Sequence, residues 1–173
     1  LNLTGQLNLK MGGPSIYTEV PKDVLATASR PGAAWGKSPV EERNRRSVYI
    51  YVKRSLHEPF LSAFDWADTD NTCDVRFVTT VPTQTLTLLN SKFLNDSAES
   101  LAKSLAKAVP GDSKAQVTRA LHLATSRKPT GEEVDDGLEL IHGLKAEAKL
   151  DDNEALQRFC LLVLNLNEFL YLD

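Results

Sequence analysis

The sequence predicts a mainly α protein: a helical domain of four to five helices, a small two- or three-stranded β element and an extended N-terminal arm. Three observations carry that expectation. From Thr83 onward apolar residues recur at helical spacing. The first 44 residues are crowded with Gly5, Gly12, Gly13, Pro14, Pro21, Pro31, Gly32, Gly36 and Pro39, a density that breaks any long element. Between these regions, Val48, Ile50 and Val52 alternate with Tyr49, Tyr51 and Lys53, the period of a strand. Residues 1–44 are read as an arm of the same domain that residues 45–173 build.

In the arm, Ile16 to Glu19 is expected as a short edge strand and Asp23 to Ala28 as one helical turn. Trp35 is expected to bury its ring and pin the loop around it. Val48 to Lys53 is read as a strand with a helix as its rival, because Val48, Tyr51, Val52 and Ser55 also share a helical face. Glu58 to Phe64 is a short helix with Pro59 near its start. The segment FDWADTDNTCD, beginning at Phe64, is a loop rich in Asx turns. Arg76 to Val81 is a second strand-like run.

Pro82 then opens a helix, capped at Thr80 or Val81. One long helix is expected from Thr83 to about Val109, with Leu86, Leu89, Phe93, Leu101 and Leu105 as its apolar stripe and Asn95, Asp96 and Ser97 as a candidate interruption. Pro110 and Gly111 end it. The next helix runs from Ser113 to Ser126, with Val117, Leu121 and Ala124 inward and Arg127 and Lys128 suited to its negative end. Thr130 and Glu133 form a capping-box signature for a helix to about Lys149, with Val134, Leu138, Ile141 and Leu144 at helical spacing. A last helix, apolar nearly all round, is expected to about Tyr171 and to sit centrally.

Composition narrows the function classes. Hydrophobic residues make up 42% and charged residues 25% of the 173, which suits a folded domain with a core. A net charge of −3 argues against a general nucleic-acid binder, and Arg43 to Arg46 is read as a solvated or salt-bridged turn. No run approaches the ~20 apolar residues of a membrane span. The chain opens at Leu1 within a pattern and is expected to be part of something longer. Cys73 and Cys160 cannot make a zinc set, and whether they pair or stay free thiols is left open by the sequence.

These blocks resemble a known family. MGGPS at Met11–Ser15, RRSVYIYVKRS at Arg45–Ser55, FDWADTDNTCDVRFVTTVPTQTLTLLN at Phe64–Asn90, LATSRKPTGEE at Leu123–Glu133 and LLVLNLNEFLYLD at Leu161–Asp173 are similar, in order, to a planctomycete-specific C-terminal domain of unknown function. That domain is found in large exported proteins that also carry a planctomycete-type cytochrome c domain. The chain departs from the family pattern at Asp74, Leu166 and Thr125-Ser126. The resemblance implies a bacterial, exported, multidomain parent and supplies no reaction. It implies no heme here, since His57, His122 and His142 have no CxxCH context.

The chemistry in the residues is sparse. No GxSxG, P-loop or HExxH is present. Asp65, Asp68 and Asp70 are weak candidates for calcium, though the spacing is not that of an EF-hand and turn chemistry accounts for them. Arg46, Arg54, Asp65, Arg76, Gln84, Asn90, Asn167 and Glu168 all flank apolar runs and are expected to form a buried polar network that fixes the central segment. The leading reading is a non-catalytic packing or interaction module whose partners are the upstream domains of its own parent, with polysaccharide as a further partner. The alternatives are part of a glycan-active site completed upstream, or a carbohydrate-binding module with Trp35 and Trp66 as stacking platforms.

Overall fold

A computed structural model describes residues 1–26, 35–67, 69, 72, 75, 79 and 81–171. Among them are nine α-helices: α1 Lys22–Ala26, α2 Val40–Arg43, α3 Pro59–Ala63, α4 Pro82–Asn90, α5 Lys92–Ala108, α6 Ser113–Thr125, α7 Gly131–Glu147, α8 Asp152–Val163 and α9 Asn167–Leu170. The mainly helical class holds. The expected β element reduces, among the described residues, to two isolated parallel bridges, Asn8 with Arg45 and Ile16 with Ile50. The chain divides into two compact units, residues 6–87 and residues 1–5 with 88–173.

The C-terminal unit is built by apolar stripes. On α5, Leu94, Ser97, Ala98, Leu101, Ala102 and Leu105 are buried, spaced by three and four residues as one helical face requires. That face packs on α8, which also packs on α6 and α7. Phe159, Cys160 and Val163 of α8 are almost wholly buried, so the central position expected for the last helix is observed. Gly137 of α7 makes the helix contact close: a Cβ there would lie 2.7 Å from Val117 Cγ1 and 2.9 Å from the Phe159 ring.

Two expected helices are each broken in two. The helix expected from Thr83 to Val109 stops at Ser91, which caps α5 by accepting from Leu94 N, while Asn95 Nδ2 donates to the Leu89 and Ser91 carbonyls at 3.1 and 2.9 Å. Asn95, Asp96 and Ser97 therefore lie inside α5, and the break falls before them. The stripe shifts as well: Leu86, Leu89 and Phe93 are 57%, 41% and 44% exposed, and Leu88 and Leu94 take the inward places. The last helix breaks at Leu164–Leu166, where Asn165 Nδ2 donates back to Leu161 O at 2.7 Å and Leu166 becomes the N-cap of α9. A side chain that competes for the helix carbonyls gives both segments an alternative to continuing.

The capping-box signature at Thr130 is observed as read, and a second box that the sequence reading did not single out stands on α8. Thr130 accepts from Glu133 N while Glu133 reaches back to Thr130 N, and Asp151 and Glu154 repeat the arrangement on α8. Ser126 ends α6 in the left-handed conformation, with φ 58°.

The N-terminal unit has short helices and little ladder. Ile16, 2% exposed, donates to Tyr49 O and accepts from Tyr51 N, both at 2.8 Å. Asn8 N donates to Asn44 O at 2.9 Å. Between these two points Gly12 and Gly13 take φ of 73° and 84°, which carries the arm out of strand geometry and prevents a continuous ladder. The segment Val48–Lys53 is neither of its expected forms: Ser47–Tyr49 is a 3₁₀ turn and Ile50 makes the single bridge. Of the second strand-like run, residues 76–78 and 80 lie outside the described residues. Trp35 does pin its loop, donating Nε1 to Thr18 O at 2.9 Å and standing edge-on to Tyr17 and Tyr51.

Candidate functional site

The most elaborate side-chain constellation in the N-terminal unit surrounds Arg45. Its side chain is fully buried. The guanidinium donates Nε–H to Lys10 O at 3.2 Å, Nη1–H to Pro14 O at 3.3 Å and to Glu42 Oε2 at 3.4 Å, and Nη2–H to Gly12 O. Four of its five N–H donors are thereby used. Its carbon sits 3.8 Å from the centroid of the Tyr49 ring, a cation–π stack. Tyr49 Oη accepts from Gly12 N at 3.0 Å, and Glu42 also binds Lys10 Nζ at 2.6 Å. The bond from Gly12 N is the first cause that lowers the Tyr49 phenol pKa. The Lys10 ammonium is the first cause that lowers the Glu42 carboxyl.

This is a clamp on backbone. The arm from Lys10 to Pro14 has carbonyls with no ladder to enter, and a buried carbonyl needs a donor. A planar fork supplies several donors from one side chain, which an ammonium does not match. Two blocks singled out in the sequence, Met11–Ser15 and Arg45–Ser55, meet at this residue.

A second constellation in the same unit lies at the start of α4. Asp65, itself at φ 56°, accepts from Thr79 N at 2.7 Å and from Thr79 Oγ1 at 2.9 Å. Gln84, 1% exposed, donates to Thr79 O at 3.0 Å, and its Oε1 accepts from Val81 N at 3.2 Å. Gln84 is the third residue of α4, so it closes the helix start from within. Nearby in sequence, His57 Nε2 meets Thr69 Oγ1 at 3.0 Å and Glu58 caps α3 by accepting from Leu61 N. Burial raises the Glu58 carboxyl pKa against the lowering effect of that cap. Glu58, His57 and Trp66 border a cavity of ≈ 10 Å³, space for about one water.

In the C-terminal unit the corresponding feature is ionic and exposed. Arg127 donates Nε–H and Nη2–H to the two oxygens of Glu168, each at 2.8 Å, and Nη1–H and Nη2–H to Glu133 at 3.0 and 2.6 Å. One guanidinium thus grips two carboxylates, from the start of α7 and from α9. Arg127 holds Glu133 at about 2, with the Thr130 cap as a lesser cause, and lowers Glu168 in the same way.

Of the sequence-selected residues, the described hydrogen bonds join Asp65 and Gln84 through Thr79. Glu168 meets Arg127 of the loop after α6. Arg46 is exposed, 6.0 Å from the Tyr49 centroid. Arg54, Asn90 and Asn167 are exposed. Arg76, Asp68 and Asp70 lie outside the described residues, as does Cys73. Asp65, the described calcium candidate, is engaged with Thr79. Cys160 is a free thiol, pushed up to about 12 by burial.

Arg45 and Arg127 escaped the sequence reading. Arg45 is one of four neighbouring basic or amide residues, RNRR, of which Arg43 pairs with Glu19 at 2.7 Å as a salt-bridged turn would. A signal was available for Arg45 in the three-residue spacing to Glu42 and in Tyr49 four residues on. No comparable local signal marks Arg127, whose partner Glu168 is 41 residues away.

The fold and these clusters define a mainly helical chain in which Arg45, Asp65, Glu133 and Asp151 secure its own backbone and helix ends. The match is to the PSD1 family of proteins of unknown function (DUF1553): its model covers residues 1–141, and the chain belongs to that family. That range includes the Arg45 clamp, the Asp65–Thr79–Gln84 cluster and the α6–α7 turn, while α8 and α9 lie beyond it. No curated protein and no solved structure matches the chain.

Proposed function

We propose that the chain is a non-catalytic packing or interaction module at the C-terminal end of an exported bacterial multidomain protein, docking onto the upstream domains of that protein. The observation that carries the reading is the exposure of aliphatic side chains along the arm and the segment it meets. Leu9, Met11, Val40, Val48 and Val52 are 72%, 75%, 63%, 77% and 49% exposed. Apolar side chains left this exposed are candidates for a surface that meets another protein. The family resemblance supports an exported parent with a cytochrome c domain and no heme in this chain.

The glycan readings draw less support. Trp35 and Trp66 are both half-buried, and Trp35 packs in T-shaped contacts with Tyr17 and Tyr51. A sugar platform needs a flat exposed ring. No helix of the described residues is long and apolar enough to cross a membrane.

The test uses the parent's neighbouring domains expressed separately. Met11→Glu with Val48→Glu should abolish their binding to this chain while its melting curve is kept. Turnover of any compound by the purified chain, abolished by one substitution that leaves folding intact, contradicts the proposal.

A further inference from the structure

The C-terminal unit carries an open depression of ≈ 630 Å³ along α6, lined at its ends by Val109 and Pro129. Its charged lining is lopsided: Lys114, Arg119 and Lys128, with His122 beside them, against a single carboxylate, Asp112. Asp112 is already engaged as the α6 cap, accepting from Ala115 N at 2.9 Å. None of Lys114, Arg119 and Lys128 makes an ion pair among the described residues. Lys92, Lys103, Arg127 and Lys145 of the same unit are paired with carboxylates, while Lys107, Lys149 and Arg158 have no ion pair among the described residues; what sets these three cations of the depression apart is their grouping along it. It also stands out in a chain of net charge −3.

The depression is built. Gln116, 8% exposed, donates to Val109 O at 2.8 Å and fixes one end. His122 donates Nδ1–H to Arg127 O at 2.8 Å and ties the turn at the other end, where Pro129 is buried. Lys114, Thr118 and His122 recur every four residues on one row of the helix, and Ala115 and Arg119 form the adjacent row, so Lys114 and Arg119 flank the depression from neighbouring rows.

From these observations we infer that the groove binds an extended acidic peptide segment. Lys114 and Arg119 are five residues apart, a rise of ~7.5 Å along the helix. Two residues of an extended chain advance ~6.6–6.8 Å, so carboxylates on alternate residues keep pace with the cations along the helix axis. The rim is cationic, while the walls at Val109, Ala115 and Pro129 are apolar. The lining contains no Phe, Tyr or Trp, so it offers neither sugars nor nucleic-acid bases an aromatic ring on which to stack. The inference rests on the interaction-module reading and assigns one partner chemistry to the C-terminal unit.

The experiment is fluorescence anisotropy with the whole chain and a labelled peptide of about eight residues bearing Glu at every second position, a length that spans the ~12 Å from Lys114 to His122. The expected result is saturable binding that weakens about tenfold or more in the Arg119→Glu, Lys128→Glu double variant and fades in ~1 M salt. Lys103→Glu, on α5, should leave it unchanged, and all variants should keep the parental melting curve. Equal binding of a Gln-for-Glu peptide, indifference to the double variant, or preference for a polyuronate or a single-stranded oligonucleotide over the peptide would overturn the assignment. Should upstream domains bind the chain with no response to the double variant, the groove assignment falls and the module reading stands.

Discussion

The two units solve the same problem with different interactions. The C-terminal unit satisfies its backbone inside long helices and is left to bury apolar stripes around α8. The N-terminal unit, with helices of four and five residues up to α3, leaves much of its backbone outside any ladder. It meets that need with side chains: Arg45 to three carbonyls, Tyr49 to Gly12 N, Asp65 to Thr79 and Gln84 to both Thr79 and Val81. The lesson is that a charged residue in a family-matching block can serve backbone rather than chemistry. A structure held by volume tolerates polar change at its surface, whereas one held by donors fails when a donor is removed.

The difference can be broken most forcefully on the apolar side. Phe159→Ala should cost the C-terminal unit about 3–5 kcal/mol, the range for emptying a packed aromatic site, read by chemical denaturation. Arg45→Ala should cost the N-terminal unit about 3 kcal/mol or more, because it strands the carbonyls of Lys10, Gly12 and Pro14. Arg45→Lys should recover little of that loss, since one ammonium cannot span the positions of the fork. If Lys restores full stability, the clamp is only a charge.

A smaller effect sharpens the same contrast. Gly137→Ala would gain about 0.5–1 kcal/mol of helix propensity, yet Val117 and Phe159 stand where the new methyl would go. Overpacking of about 1–3 kcal/mol should win, giving a net loss in thermal denaturation. A gain in melting temperature would show that the α6–α7–α8 contact is looser than described.

How much of this was legible in the sequence depended on range. Helix starts written in four residues, such as Thr130 to Glu133, were readable because capping is local. Pro82 and Pro59 were readable for the same reason. The breaks at Ser91 and Asn165 were not, since both lie inside runs whose apolar spacing continues through them. The strand reading of Val48 to Lys53 followed a true alternation, but a ladder also needs a partner, and Gly12 and Gly13 turn the arm away. Glu168 was singled out from its place beside an apolar run. Its partner Arg127 was read as a helix-end charge, because a 41-residue separation leaves no local trace. Arg45 left a local trace only in its spacing to Glu42 and Tyr49; its carbonyl partners come from the arm folding back over it, 31 to 35 residues away.

The smallest effects concern titration. Glu133 is held at about 2, below its ordinary value of 4.5. A carboxyl lowered in the folded state contributes stability that is present above the unfolded value and lost as pH falls through the folded one. The Arg127 cluster should therefore weaken between about pH 4.5 and 2, and Arg127→Ala should flatten the acid limb of stability over that window. Glu58 has the opposite sign. Its raised carboxyl disfavours folding when ionised, so Glu58→Gln, which keeps an acceptor for Leu61 N, should leave neutral-pH stability unchanged or improve it.

The central claim is that the buried Arg45 holds the backbone of the arm. Residue-resolved hydrogen exchange of the amides of Gly12, Ile16 and Tyr51 in wild type and Arg45→Ala tests it most directly. The account predicts that protection at these three sites collapses in the variant, while the amides of α5 and α8 exchange as before. Unchanged protection at Gly12, Ile16 and Tyr51 would contradict it, and would leave a buried guanidinium with a purpose other than holding the arm.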